Sequence, residues 1–158
     1  MFTVEFEGES EIAAAWGTAC NLVRHGLGRG VRMGVQEGAH EARSKHTFKN
    51  QSGDLERSIE GVALGSVNGG DGFQGEIRAT AKHASYVEYD TKPHRIVVRR
   101  AVWLRWEQPQ GDVHFAKVVN HPGTKGQPFM HLAYFTCERV IVCEIERGIV
   151  AAQGALDR

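Results

Sequence analysis

The stretch Gly26-Leu27-Gly28-Arg29-Gly30-Val31-Arg32-Met33-Gly34-Val35-Gln36-Glu37-Gly38 decides how this chain is built. Gly26, Gly30, Gly34 and Gly38 fall at every fourth position, and Ala42 continues the row. On an α-helix that spacing sets them one above another. A continuous helix would then present a row of small residues that a second helix can approach closely. Each glycine inside a helix costs about 1 kcal/mol relative to alanine, so four cost roughly 4 kcal/mol that close packing must offset. In the alternative, Gly26-x-Gly28-x-Gly30 breaks the segment into two helices. The local sequence leaves both readings open. If the helix is continuous, four-residue rows predict that the partner crosses obliquely, at roughly −50°.

A third reading, a dinucleotide-binding loop at Gly26-x-Gly28-x-Gly30, lacks its setting. Such a loop follows a strand and opens a helix, so that pyrophosphate meets the helix N-terminus. Here a helical pattern comes first: Ile12, Ala15, Trp16, Ala19, Leu22 and Val23 recur at three- and four-residue steps. Arg24, Arg29 and Arg32 also exclude a membrane role for the small-residue row.

Outward from the row, residues 9–48 read as mostly helical, with Ser10 as a candidate cap. Asn50-Gln51-Ser52-Gly53-Asp54 is a turn. Ile59–Leu64 reads as a strand, Val67-Asn68-Gly69-Gly70-Asp71-Gly72 as a hairpin loop, and Phe73–Ala79 as the alternating return strand. Ala81–Tyr89 has helical or turn-like spacing. Ile96–Val98, Val102–Trp106 and Val113–Val118 read as further strands, the last two separated by the turn Gln108–Asp112. Near the C-terminus Phe129, Leu132, Ala133, Cys137, Val140, Ile141, Ile145 and Ile149 keep one helical face. Phe135, Val142 and Ile149 recur every seven residues as a second apolar stripe, more than a lone surface helix needs. The expected fold is α+β, an antiparallel sheet of about four to five strands flanked by a long N-terminal and a C-terminal helix. Residues 1–158 are expected to form one domain, since the length matches one ordinary domain.

Composition narrows the function. With 41% hydrophobic and 24% charged residues the profile is globular. Lys+Arg and Asp+Glu both number 19, which argues against a protein that tracks nucleic-acid phosphates with its whole surface. No apolar run approaches the ~20 residues of a membrane span. Met1–Glu7 lacks the basic start and apolar core of a signal peptide, so neither secretion nor a membrane partner is expected. Cys20, Cys137 and Cys143 have no CxxC spacing, which favours free, buried thiols over a disulfide framework or zinc site.

Nothing in the chain assembles a catalytic pattern. The eight histidines make no HExxH or two-Cys-two-His spacing. Cys137 and Cys143 lie in an apolar helical pattern, where burial makes thiols inert. There is no G-x-S-x-G elbow. No enzyme, cofactor or metal is expected. Lys92, His94, Arg95, Arg99, Arg100 and Arg105 form a basic cluster near Trp103 and Trp106. Such interleaving can bind single-stranded nucleic acid, but it also describes the solvent face of a charged edge strand. Trp and Arg are enriched at interface anchors, which makes Trp103 and Trp106 candidate interface residues.

Three blocks resemble a known family. Ala81-Lys82-His83-Ala84-Ser85-Tyr86-Val87-Glu88-Tyr89-Asp90-Thr91 resembles the A-x-Y-A-x-Y-V-E-Y-G-T signature of a tailed-phage family. Its members are tail-component, neck or head–tail joining proteins, similar to the minor tail protein Z group. Val119-Asn120-His121-Pro122-Gly123-Thr124-Lys125-Gly126-Gln127-Pro128-Phe129 resembles its H-P-G-T-x-x-x-P-F segment, and Ser52-Gly53-Asp54-Leu55-Glu56-Arg57-Ser58-Ile59 its T-G-x-L-x-x-S-I segment. The motif residues are Tyr86, Glu88, Tyr89, Thr91, His121, Pro122, Gly123, Thr124, Pro128 and Phe129. Physically, Pro122-Gly123 sets a turn, Thr124 is a candidate helix cap, Pro128 suits a first helical turn, and Phe129 would anchor that helix on the sheet. Asp90 stands where the family has glycine.

The resemblance implies a structural virion protein of the neck or tail, assembled in the bacterial host cytoplasm. It would form a closed homo-oligomeric ring of about six or about twelve copies that joins or completes the tail. A tail terminator capping the tail tube is the related alternative, and a nucleic-acid-binding module the less favoured one. Partners implied are other copies of the chain, the head connector or tail tube proteins, and DNA passing non-specifically through the channel. Candidate subunit-interface residues are Gly26, Gly30, Gly34, Gly38, Trp103, Trp106, Phe135, Val142 and Ile149.

Overall fold

The computed structural model describes residues 8–48, 52–67, 72–107 and 110–157. The acidic start at Met1–Glu7, Asn50-Gln51 of the first turn, the hairpin tip 68–71 and Gln108-Pro109 lie outside the described residues. In chain order the elements begin with α1 (Glu9–Ser44), α2 (Asp54–Arg57), β1 (Ile59–Val67), β2 (Gly72–Ala79) and α3 (Ala84–Glu88). They continue with β3 (His94–Val97), β4 (Leu104–Glu107), β5 (Val113–Ala116), β6 (Val118–His121) and α4 (Phe129–Leu156). The chain divides into two compact units, Met1–Lys82 with Phe129–Arg158, and His83–Pro128.

The first unit is built on α1, which runs 36 residues without a break through the glycine row. Of the two readings of that stretch, the continuous helix is the one adopted. Its start differs from expectation. Gly8, not Ser10, occupies the cap position, and the Ser10 hydroxyl donates to Glu11 instead. Glu9 and Glu11 in the first turn and Arg43 in the last complement the helix dipole. Arg43 also donates to the Ile59 carbonyl at 2.8 Å, tying the end of α1 to the start of β1.

β1 and β2 pair antiparallel from Ile59↔Ala79 to Val67↔Gly72, with an irregularity between Ala63 and Gly65. This ribbon lies directly on α1. A β-carbon at Gly61 would sit 2.0 Å from the Val35 carbonyl oxygen, so only glycine lets strand and helix backbones meet there. Leu55, Ile59, Phe129, Val31, Val35 and the alanines 39, 42, 133 and 152 form the buried core. Phe129, 2% exposed at the start of α4, meets Phe48 edge-to-face at 5.4 Å, just past α1. His46 stacks on Phe48, and its Nε2 lies 2.6 Å from Glu56 Oε1.

The second unit is a nested pair of ribbons. β3 pairs with β6 from His94↔His121 to Val97↔Val118, and between them β4 pairs with β5 from Leu104↔Ala116 to Glu107↔Val113. The α+β class therefore holds, but the strands form three two-stranded antiparallel pairs, not one sheet of four or five. The reason is in the lengths and partners. β3 to β6 have four residues each and are used up by their nested neighbours. β1–β2 takes α1, rather than a third strand, as its cover.

Candidate functional site

Two of the motif blocks are zipped together in the second unit. Thr91 and Thr124 form an antiparallel bridge, with amide-to-carbonyl distances of 2.9 and 3.2 Å. The Thr124 amide also donates to Thr91 Oγ1 at 2.7 Å. The Gly126 amide donates to the Asp90 carboxylate at 2.6 Å, and the Gln127 amide to the Val87 carbonyl at 2.7 Å. Asp90, the departure from the family pattern, thus supplies a charged acceptor to the facing block. Gly123 has φ +91°, and its amide donates to His121 Nδ1, so the turn needs a residue free of a β-carbon. Thr124 is not a helix cap: α4 begins at Phe129, and Thr124 is spent on the bridge to Thr91. Pro128 stands immediately before α4. The block leaves Tyr86 65% and Tyr89 70% exposed, a pair of aromatic rings in solvent, while Glu88 is half-buried.

The nested ribbons have two unlike faces, because successive strand residues point to opposite sides. Ile96, Leu104, Trp106, Val119 and His121 line a groove together with Pro122 and parts of Arg105 and Glu107. Trp106 stacks on its cross-strand partner His114 at 5.4 Å, and His94 on His121 at 5.1 Å. On the outer side of β4–β5 Arg105 stands directly opposite Phe115, and Glu107 opposite exposed Val113. Lys117 lies 5.1 Å over the exposed Trp103 ring. Lys92, His94, Arg95, Arg99, Arg100 and Arg105 are all exposed. Residues 83–128 hold seven Lys and Arg against four Asp and Glu, within a chain that is neutral overall.

In the first unit the glycine row meets α4 of its own chain. β-carbons at Gly26 and Gly38 would lie 2.7 Å from the carbonyl oxygens of Glu144 and Ala133. Gly30 faces Glu144 and Ile141, and Gly34 faces Ile141 and Cys137. The two helices therefore run antiparallel, side by side, for about 18 Å. The glycines form a groove, and α4 follows it with residues 133, 137, 141, 144 and 148 in mixed three- and four-residue steps. Phe135, Val142 and Ile149 lie elsewhere on α4 and are exposed.

Sequence reasoning missed Glu144. It is 2% exposed, the one buried charge among the described residues. Arg147 pairs with its Oε1, and Arg29 Nε lies 2.5 Å from its Oε2 as an ion pair without hydrogen-bond alignment. The available signal was its register: Glu144 shares the helical face of Cys137, Ile141 and Gly148. The thiols also differ from expectation. Cys20 and Cys143 are exposed and Cys137 is partly buried; burial raises the Cys137 pKa. Among the described residues no three His, Cys, Asp or Glu side chains gather as a metal site, and no helix is long and apolar enough to cross a membrane.

No curated protein and no solved structure matches the chain. A family model does, over the span that runs from α1 at the edge of the glycine row through the β1–β2 ribbon to the exposed tyrosines. Residues 23–89, less than half of the chain, match the family described as "Bacteriophage HK97-gp10, putative tail-component", a span that includes the Ser52–Ile59 block and most of the Ala81–Thr91 block.

Proposed function

We propose that the protein is a structural subunit of the phage neck, forming a homo-oligomeric ring that joins or completes the tail at the head–tail interface. The family match over residues 23–89 carries this reading. The zipped motif blocks support it, because they hold Tyr86 of α3 and Tyr89 just after it out in solvent on a braced segment, as a docking surface requires. Its neighbours in the virion are the head connector and the tail tube, and assembly takes place in the host cytoplasm. Cyclic symmetry suits a subunit that surrounds a DNA-conducting channel.

Electron microscopy of lysates from phage lacking this chain tests the assignment. The expected products are DNA-filled heads and finished tails that remain separate, rejoined when the protein is added back. Tails of uncontrolled length would assign it instead as a terminator. Normal, infectious virions would overturn a structural role at the neck.

A further inference from the structure

The Val142 face of α4 and the outer face of β4–β5 are both apolar at the centre, and their mixed rims are opposite in net charge. On α4, Val142 is exposed and lies in a groove with Glu37, Glu41, Glu138 and Glu146 against Lys45 and Arg139. Of these glutamates, Glu41 is paired with Lys45 at 3.1 Å. On the outer β4–β5 face, Phe115 is 61% exposed beside Val113, and Arg105 and Lys117 outnumber Glu107, which stands opposite Val113. An apolar centre with a charged rim is the anatomy of a protein interface, not of a phosphate track. The charge balance of residues 83–128 is positive, and the remainder of the neutral chain is correspondingly negative.

We infer that the outer β4–β5 face of one copy docks on the Val142 face of α4 in the next copy. This rests on the homo-oligomeric reading above and names the surfaces that build it. The two patches differ, so the contact is head-to-tail. Repeated, it closes into a ring or runs on as a filament. Opposite rims speed encounter and fix the register, while Phe115 and Val142 supply the desolvated centre.

The test uses the full chain, by sedimentation velocity across a concentration series. Glu138→Lys with Glu146→Lys makes the α4 rim basic, and Arg105→Glu with Lys117→Glu makes the β4–β5 rim acidic. Each double variant, with thermal unfolding like the parent, is expected to need about tenfold more protein to assemble. Mixing the two variants creates complementary contacts in both directions, so the mixture is expected to assemble as the parent does. Parent-like assembly of either variant alone, or no recovery on mixing, overturns the docking while leaving oligomerisation intact. A parent protein that stays monomeric at every concentration overturns both the docking and the homo-oligomeric reading. If Arg105→Glu with Lys117→Glu abolishes retention of duplex DNA but leaves assembly unchanged, the face belongs to nucleic acid and the inference fails.

Discussion

Gly26 and Gly17 lie in the same helix, yet their substitution should have opposite effects. A β-carbon at Gly26 meets the Glu144 carbonyl oxygen at 2.7 Å, while one at Gly17 meets nothing within 4 Å. Gly17→Ala should therefore stabilise by up to ~1 kcal/mol through helix propensity. Gly26→Ala should destabilise, by about 1–3 kcal/mol, because overpacking outweighs that gain. Urea denaturation of the pair checks this, and equal stabilisation of both would refute close helix contact. Asp90 offers a local test as well. Asp90→Ala removes the acceptor of the Gly126 amide, so hydrogen exchange at Gly126 should accelerate more than exchange in α1. The cysteines should separate by reactivity. Cys20 and Cys143 are exposed, whereas burial raises the Cys137 pKa and leaves less thiolate at any given pH. A thiol reagent near pH 8 should modify Cys137 last, and the lag should shrink as pH rises toward its pKa.

The α1–α4 pair shows what pattern can and cannot reveal. Both helices were legible from their apolar periods, and the β1–β2 pair from its alternation around a glycine-rich loop. Whether α1 continued through Gly26-x-Gly28-x-Gly30 was not, because the stabilising partner lies more than ninety residues away, at 133–148. The strand pairing was also only partly legible. Val113–Val118 reads as one alternating run, but the chain changes partner at Lys117, from β4 to β3. The Thr91–Thr124 bridge was invisible to spacing, although both threonines belong to recognisable motifs. Glu144 escaped because charge in an apolar helix reads as solvent-facing, whereas here Arg29 and Arg147, themselves exposed, reach it from the surface. Its burial makes a sharp prediction. Arg29→Gln or Arg147→Gln leaves one counter-charge, while the double variant leaves a buried carboxylate unpaired. The double loss should exceed the sum of the singles by about 1 kcal/mol or more, measured as a double-mutant cycle.

For the molecule as a whole, the proposed role at the neck rests on its surface. Among the described residues the buried charge is structural and no metal cluster gathers. What the chain offers outward is Tyr86 and Tyr89, the β4–β5 face, and the unpartnered stripe of α4. Such surfaces suit a part that is held by its neighbours in an assembly. Electron cryomicroscopy of the parent virion tests that account most directly. It predicts ring density between head and tail into which α1 and α4 fit as paired antiparallel helices, with Phe115 and Val142 at contacts between adjacent copies. A complete neck map whose every subunit is accounted for by other chains would contradict it.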